Sequence, residues 1–222
     1  MDDLLNYLSG FVTPNRLARF EQVLDYRTRY ITVVLEDIYQ SQNASAVVRT
    51  CDCFGIQDVH VVENTNLFEM DREVALGADK WLTVERYGSD EENTLAAINT
   101  LRENGYRIVA TTPHTSEIPL PDLNLNKGKL AIFFGTELTG ISETVKTCAD
   151  EFVKIPMFGF TESFNISVSV ALTLQDLVSR LHKSDIEWKL NPGERDALKL
   201  QWLRKSIKDA DFIEKQYLTG KN

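Results

Sequence analysis

The chain has few cysteines, no long apolar run and no excess of positive charge. Its three cysteines, Cys51, Cys53 and Cys148, lack metal-site spacing, because a C-x-C pair on a helix points its thiols to different faces. No stretch reaches the roughly 18 apolar residues of a membrane span, and the acidic start does not resemble a signal peptide. We therefore expect a cytoplasmic protein with free, mostly buried thiols and no bound metal.

A glycine-rich dinucleotide motif is also missing. No G-x-G-x-x-G follows the first apolar strand, which excludes a nicotinamide dehydrogenase of the Rossmann type. The formal net charge is −9 over 222 residues, with ten basic and 22 acidic residues between positions 31 and 179. Because Lys and Arg supply most of the affinity for phosphate, this balance argues against a general nucleic-acid binder.

The two ends of the chain differ in charge from the middle. Residues 13–30 contain Arg16, Arg19 and Arg27, and residues 180–222 hold ten basic against seven acidic residues. A structured RNA could be held by these ends. Mixed charges that only solvate two surface helices explain the pattern equally well, so both interpretations stay open.

Alternating element types predict the fold class. Short apolar segments, typical of strands, alternate for most of the chain with segments of helical periodicity. Such alternation favours an α/β fold with a parallel sheet covered on both faces. The predicted strands are 31–36, 59–62, 81–84, 107–111, 130–134 and 152–155, and the helices between them are 44–54, 91–104, 143–149 and 166–181.

Both ends are predicted to be helical additions to that core. Thr13 can cap a helix that begins at Pro14. Asn191, Pro192 and Glu194 have the pattern of a capping box, and the helix after them should run to about Tyr217. The expected organisation is an N-terminal extension (1–30), a catalytic-type α/β domain (31–181) and a C-terminal extension (182–222).

Residues 35–50 contain the first candidate site. Asn43 could simply cap a helix. Arg49 is harder to dismiss, because it lies in a run of small and apolar residues where an unpaired guanidinium would be costly to bury. An arginine there should contact a phosphate, a carboxylate or a carbonyl-rich site.

Two further candidate sites follow later strands. Gly135, Thr136 and Glu137 come directly after the strand 130–134, and a glycine there lets a ligand approach the backbone closely. The segment 155–165 contains an apolar loop at 157–160, too hydrophobic for an ordinary surface, and then polar groups at the start of a long helix. Ser163 as a plain helix cap would leave that apolar loop unexplained.

These three segments together resemble the motifs of the SpoU (TrmH) family of SPOUT RNA 2′-O-methyltransferases. The resemblance rests on Asn43 with Arg49, the FFGTE run at 133–137 and the segment from IPM to SFNISVSVA at 155–171, and it spans roughly residues 14 to 215. The third motif is highly specific and the first moderately so.

The resemblance implies a Rossmann-like parallel sheet whose C-terminal part forms a trefoil knot, and a homodimer with active sites at the subunit interface. It implies S-adenosyl-L-methionine as cofactor and ribose 2′-O-methylation of tRNA, at guanosine 18 in the D-loop. The implied catalytic residues are Asn43, Arg49, Glu137, Ser163 and Asn165. The implied cofactor contacts are Thr111, Gly135, Ile155, Met157, Gly159 and Phe164.

Chemical roles can be attached to these positions. A ribose hydroxyl is a poor nucleophile, so the site must orient it and help its proton leave. Arg49 is a very weak base at neutral pH, and we expect it to clamp an RNA phosphate while Arg16, Arg19 and Arg27 hold the tRNA. An enzyme of this branch acting on rRNA or another tRNA position is the alternative, and a non-catalytic RNA-binding protein of the same fold is a further one.

Overall fold

The computed structural model describes residues 2–89, 92–112, 117–136 and 139–220. These residues divide into two compact units. One runs from Arg29 to Trp188, and the other is built from the two terminal segments, up to Thr28 and from Lys189 onward. The two ends, predicted as separate extensions at 1–30 and 182–222, belong to one compact unit in the structure.

The larger unit contains a parallel sheet, as the alternation of elements predicted. Its strands are β1 (Ile31–Glu36), β2 (Asp58–Val62), β3 (Thr83–Tyr87), β4 (Arg107–Thr111), β5 (Ile118–Pro119), β6 (Leu130–Phe134) and β7 (Glu151–Lys154). Within the described residues they lie in the order β3-β2-β1-β6-β4-β7-β5, and every neighbouring pair is parallel. The strand β5 was not predicted, because two residues that include a proline carry no recognisable pattern.

Helices cover both faces of this sheet. Side chains of α3 (Ser41–Cys53) and α7 (Ile166–Leu181) join one apolar core with Val33 and Leu35 of β1. Side chains of α5 (Asn93–Glu103) and α6 (Glu143–Cys148) join a second core with Val34, on the opposite face. The α/β architecture with two covered faces is therefore confirmed.

Several local predictions need correction. The helix α3 begins at Ser41, so Asn43 is its third residue and not its cap. The cap of α7 is Asn165, which agrees with the argument against Ser163 as a plain helix cap. Of the three free cysteines, only Cys51 is buried. The segment after β2, left open between loop and helix, contains the short helix α4 (Arg72–Ala75), followed by a 3-10 turn at Ala78–Lys80.

The terminal unit consists of α1 (Asp2–Ser9), α2 (Pro14–Leu24), α8 (Pro192–Ser206) and α9 (Ala210–Thr219). Thr13 caps α2 and a complete capping box on Asn191 starts α8, both at the predicted positions. The single C-terminal helix of the prediction is interrupted, because Ile207 is extended and Asp209 is left-handed. No glycine or proline marks this break. None of the described helices is long and apolar enough to cross a membrane.

Arg27 has a structural position in this unit. Its side chain is 1% exposed, and its guanidinium lies 5.5 Å from the ring centroid of the buried Trp202. Cation–π contact and burial of the aliphatic stem both stabilise such an arrangement. The expectation that Arg27 holds RNA therefore needs correction, whereas Arg16 and Arg19 are exposed on α2.

Candidate functional site

A cavity of about 360 Å³ lies at the carboxyl edge of the sheet. Its wall includes the ends of three neighbouring strands, with Thr111 at the end of β4, Phe134 and Gly135 at β6, and Val153 on β7. Ligands of open α/β sheets bind at this edge, outside the carboxyl ends of the strands. The strand ends and the loops that follow them therefore form a site of ligand size.

The described residues after β6, 135–136 and 139–142, which we call the β6 loop, close one side of the cavity. Thr136 and Gly140 exchange two backbone hydrogen bonds of 3.0 Å. Gly135 is packed so closely that a Cβ there would lie 2.1 Å from the carbonyl oxygen of Gly140. The glycine is therefore required for space. Glu137, an expected catalytic residue, lies outside the described residues.

The segment after β7, which we call the β7 loop (residues 155–165), closes the other side. Ile155, Met157, Ser163 and Phe164 line the cavity. Together with Thr111 and Gly135, the cavity thus brings together five of the six expected cofactor contacts. Gly159 is not among its lining residues.

Asn43 and Asn165 connect the first and third sequence motifs. The Nδ2 of Asn165 donates to the Oδ1 of Asn43 over 3.1 Å, although 122 positions separate them. The Oδ1 of Asn165 accepts from the backbone N–H of Ser167 and so caps α7. Because Asn165 follows the lining residue Phe164 directly, this amide pair lies next to the cavity.

Arg49 does not join this group. It is exposed on α3, between buried side chains such as Val47 and Val48, and it makes no hydrogen bond or ion pair to another described residue. A partner for the Arg49 guanidinium was predicted because the residues around it predicted burial. An exposed guanidinium stays hydrated and needs no partner within the chain. Arg49 is thus available to a group outside this chain.

Two charged residues line the cavity, among the described part of the chain. They are Lys146, whose Nζ is 2.6 Å from Glu143 Oε1, and Glu162 of the β7 loop. Lys146 was missed by the sequence analysis. A signal existed, because a serine at 142 predicts the start of a helix that would bring its first turn beside the β6 loop. No cluster of three or more metal-ligating side chains occurs among the described residues.

Large apolar side chains are exposed beside the site. Phe158 and Phe160 of the β7 loop are 98% and 109% exposed. On α7, Val168 and Leu172 are exposed as well, one helical turn apart on the same face. A contiguous apolar surface of this kind typically binds another protein surface.

Replacement of Gly135 by alanine tests the packing of the β6 loop. Since the new methyl group would overlap the backbone of Gly140, Gly135→Ala should lower the free energy of unfolding by about 1–3 kcal/mol in urea titrations. It should also speed amide exchange at 139–142. Gly159→Ala is the matched control, because its Cβ would meet nothing closer than 4.0 Å. Equal effects of the two substitutions would contradict this account.

Comparison with known proteins agrees with this geometry. The SpoU rRNA Methylase family matches residues 30–175. A Borreliella burgdorferi protein named tRNA (guanosine(18)-2′-O)-methyltransferase is 47% identical, over 96% of this chain and 97% of its own. Two solved structures are also similar.

The first is the A. aeolicus TrmH/SpoU tRNA modifying enzyme, with a TM-score of 0.75 and 25% identity over 87% of this chain and 98% of that one. The second is the SpoU methyltransferase AviRb from Streptomyces viridochromogenes in complex with AdoMet, with a TM-score of 0.61. It covers 73% of this chain and 65% of its own, and at 20% identity it bears on the fold alone. The chain belongs to the SpoU methylase family.

Proposed function

We propose that this protein transfers a methyl group from S-adenosyl-L-methionine to the ribose 2′-hydroxyl of guanosine 18 in tRNA. The observation that carries the proposal is the cavity at the carboxyl edge, flanked by the Asn43–Asn165 pair. The 47% identity to a protein named for this reaction supports the substrate. A tRNA substrate would also be met in the cytoplasm.

The lining of the cavity fits the cofactor. Apolar side chains such as Ile155 and Met157 suit a purine, and Gly135 lets a ligand approach the β6 backbone. Lys146 and Glu162 offer opposite charges for a carboxylate and an ammonium group. When bound, the cofactor would supply a methyl group already activated by its sulfonium, so no metal is required. We include a trefoil knot around this cavity in the proposal, on the strength of the family resemblance.

The chain's own residues would prepare the hydroxyl. Asn43 and Asn165 hold each other and would present amide groups to the ribose, with Ser163 on the cavity wall beside them. The guanidinium of Arg49 would clamp a phosphate next to the target and polarise the hydroxyl. Orientation of the hydroxyl in line with the methyl group would supply much of the rate enhancement. Glu137 remains proposed as an anchor for Arg49 or for the β6 loop.

A second copy of the chain would complete the site. Arg49 is exposed and is not among the residues that line the cavity. The apolar side chains of Phe158, Phe160, Val168 and Leu172 need a cover, and a twofold dimer offers one surface to cover another. In such a homodimer, Arg49 of one subunit would serve the cavity of the other.

The substrate proposal is tested with purified protein and methyl-labelled cofactor. A tRNA transcript should gain one ribose methyl, located at guanosine 18 by mass spectrometry of nuclease fragments. A transcript with 2′-deoxyguanosine at that position lacks the acceptor oxygen and should stay unlabelled.

Because the family is named for rRNA methylation, the same assay is also run with rRNA transcripts. Methylation of rRNA in place of tRNA would favour the alternative substrate. RNA binding without any methyl transfer would favour the non-catalytic alternative.

A mixed dimer tests the shared site. Arg49→Ala and Asn165→Ala homodimers should each lose at least about 100-fold in turnover. A heterodimer, purified through two different tags, would keep one intact site if Arg49 serves the opposite subunit. Its activity should return to about half of the wild-type value. If Arg49 serves its own subunit, both sites carry a lesion, and the heterodimer should be as inactive as its parents.

The RNA-holding role is now proposed for Arg16 and Arg19 only. Neutralising both should weaken tRNA binding and lower the slope of log affinity against log salt by about two units, one per lost phosphate contact. Arg204→Ala is a suitable control, because Glu214 already engages that guanidinium at 2.6 and 2.8 Å. An unchanged salt slope in the double variant would show that α2 does not hold the tRNA.

A further inference from the structure

Glu36 is a buried carboxylate with no part in the mechanism above. It ends β1, is 2% exposed, and lies on the sheet face covered by α5 and α6. A carboxylate in such a place is destabilising unless several donors satisfy it. Its partners therefore show what the position is used for.

Three donors engage both oxygens of Glu36. The backbone N–H of Ser142 donates to Oε2 at 2.9 Å, and the Ser142 hydroxyl donates to Oε1 at 2.7 Å. The hydroxyl of Thr94 donates to Oε1 at 2.7 Å. The carboxylate is thus held from two sides and cannot turn away without breaking a hydrogen bond to a charged group.

Ser142 is the last residue of the β6 loop. Its hydroxyl also accepts from the backbone N–H of Val145, and so it caps α6. At its other end the loop is fixed by β6 and by the Thr136–Gly140 hydrogen bonds. Gly140 and Ile141, which directly precede Ser142, both line the cavity. Glu36 therefore sets where the end of the loop stands relative to the sheet.

The same hydrogen bonds continue to the segment before α3. The Thr94 hydroxyl accepts from Asn64 Nδ2 at 2.9 Å, and the same Nδ2 donates to Asp37 Oδ2 at 3.2 Å. The backbone N–H of Asn64 donates to Asp37 Oδ1 at 2.8 Å. Glu36 thus belongs to a hydrogen-bond network with Thr94, Asn64 and Asp37, which helps to fix the position of its side chain.

We propose that Glu36 is a positioning residue, which acts through Ser142 to hold the β6 loop in the conformation that binds S-adenosyl-L-methionine. The proposal rests on the proposed function, since it takes the cavity as the cofactor site. A positioning role differs from a purely structural one in its effect on cofactor affinity. Loss of Glu36 should lower that affinity by more than a substitution elsewhere that destabilises the protein equally.

The experiment compares Glu36→Gln with Glu63→Gln. Glu63 is a matched control, because it directly follows β2, the neighbour of β1, and is 9% exposed. It accepts from Phe68 N at 2.6 Å and from Arg86. Its hydrogen bonds with Arg86 lower the pKa of Glu63. It supports residues 63–68, which do not line the cavity.

Glu36→Gln puts an amide where three donors point, so the Kd of the cofactor in titration calorimetry should rise about tenfold. Turnover at saturating cofactor should stay near the wild-type value, while the KM for the cofactor rises. Hydrogen exchange should accelerate at the Ser142 amide. In Glu63→Gln the cofactor Kd should stay within about twofold, and faster exchange should appear at Phe68.

Ser142→Ala is the second variant if Glu36→Gln does not fold. It removes one of the three hydrogen bonds and should raise the cofactor Kd several-fold. Wild-type affinity in a folded Glu36→Gln or Ser142→Ala protein would overturn the positioning role and leave the proposed function intact. An equal loss of cofactor affinity in Glu63→Gln would also overturn the positioning role, because it would show that Glu36 acts only through the stability of the fold. A wild-type protein that binds no cofactor would overturn both proposals.

Discussion

Three neighbouring parallel strands, β6, β4 and β7, are paired in a register that brings their carboxyl ends side by side at one edge of the sheet. Ala110 is paired with Phe133 on one side and Phe152 on the other, and Thr111 is paired with Val153. A slip of one residue would turn each side chain to the opposite face of the sheet. The cavity depends on this register, because its wall consists of the residues at and just beyond these pairs.

The loops above that edge differ in how firmly they are held. Glu36 and Asp37 end the central strand β1, and Asp37 adopts a left-handed backbone with φ of 54°. Backbone N–H groups of residues 64–66 all donate to the Asp37 carboxylate, which offsets that strain. The β6 loop is anchored by Glu36 in the same way. Phe158 and Phe160 of the β7 loop are exposed among the described residues. The site is therefore held by hydrogen bonds on one side and open on the other.

Local chemistry explains which features the sequence could predict. The caps at Thr13 and Asn191 and the bounds of α7 follow from residues within one turn of each other, and they were predicted correctly. Five of the six cofactor contacts implied by the family motifs line one cavity. The burial of Arg27, the tight contact of Gly135 and the partners of Glu36 depend on residues brought together by the fold. Glu36 and Ser142 are 106 positions apart, and no local pattern connects them.

The acidity of the larger unit is less of an obstacle to RNA than its net charge suggests. Glu63 is paired with Arg86, Asp58 with Arg29, and Glu151 with both Arg107 and Lys127. These pairs leave the excess of acidic residues unchanged, but salt screens exposed charges over about 8–10 Å. The field that a phosphate meets near the cavity therefore depends on exposed groups close by, such as Arg49, more than on the sum of charges. Affinity for a polyanion can in this way coexist with an acidic core that uses its carboxylates to hold loops in place.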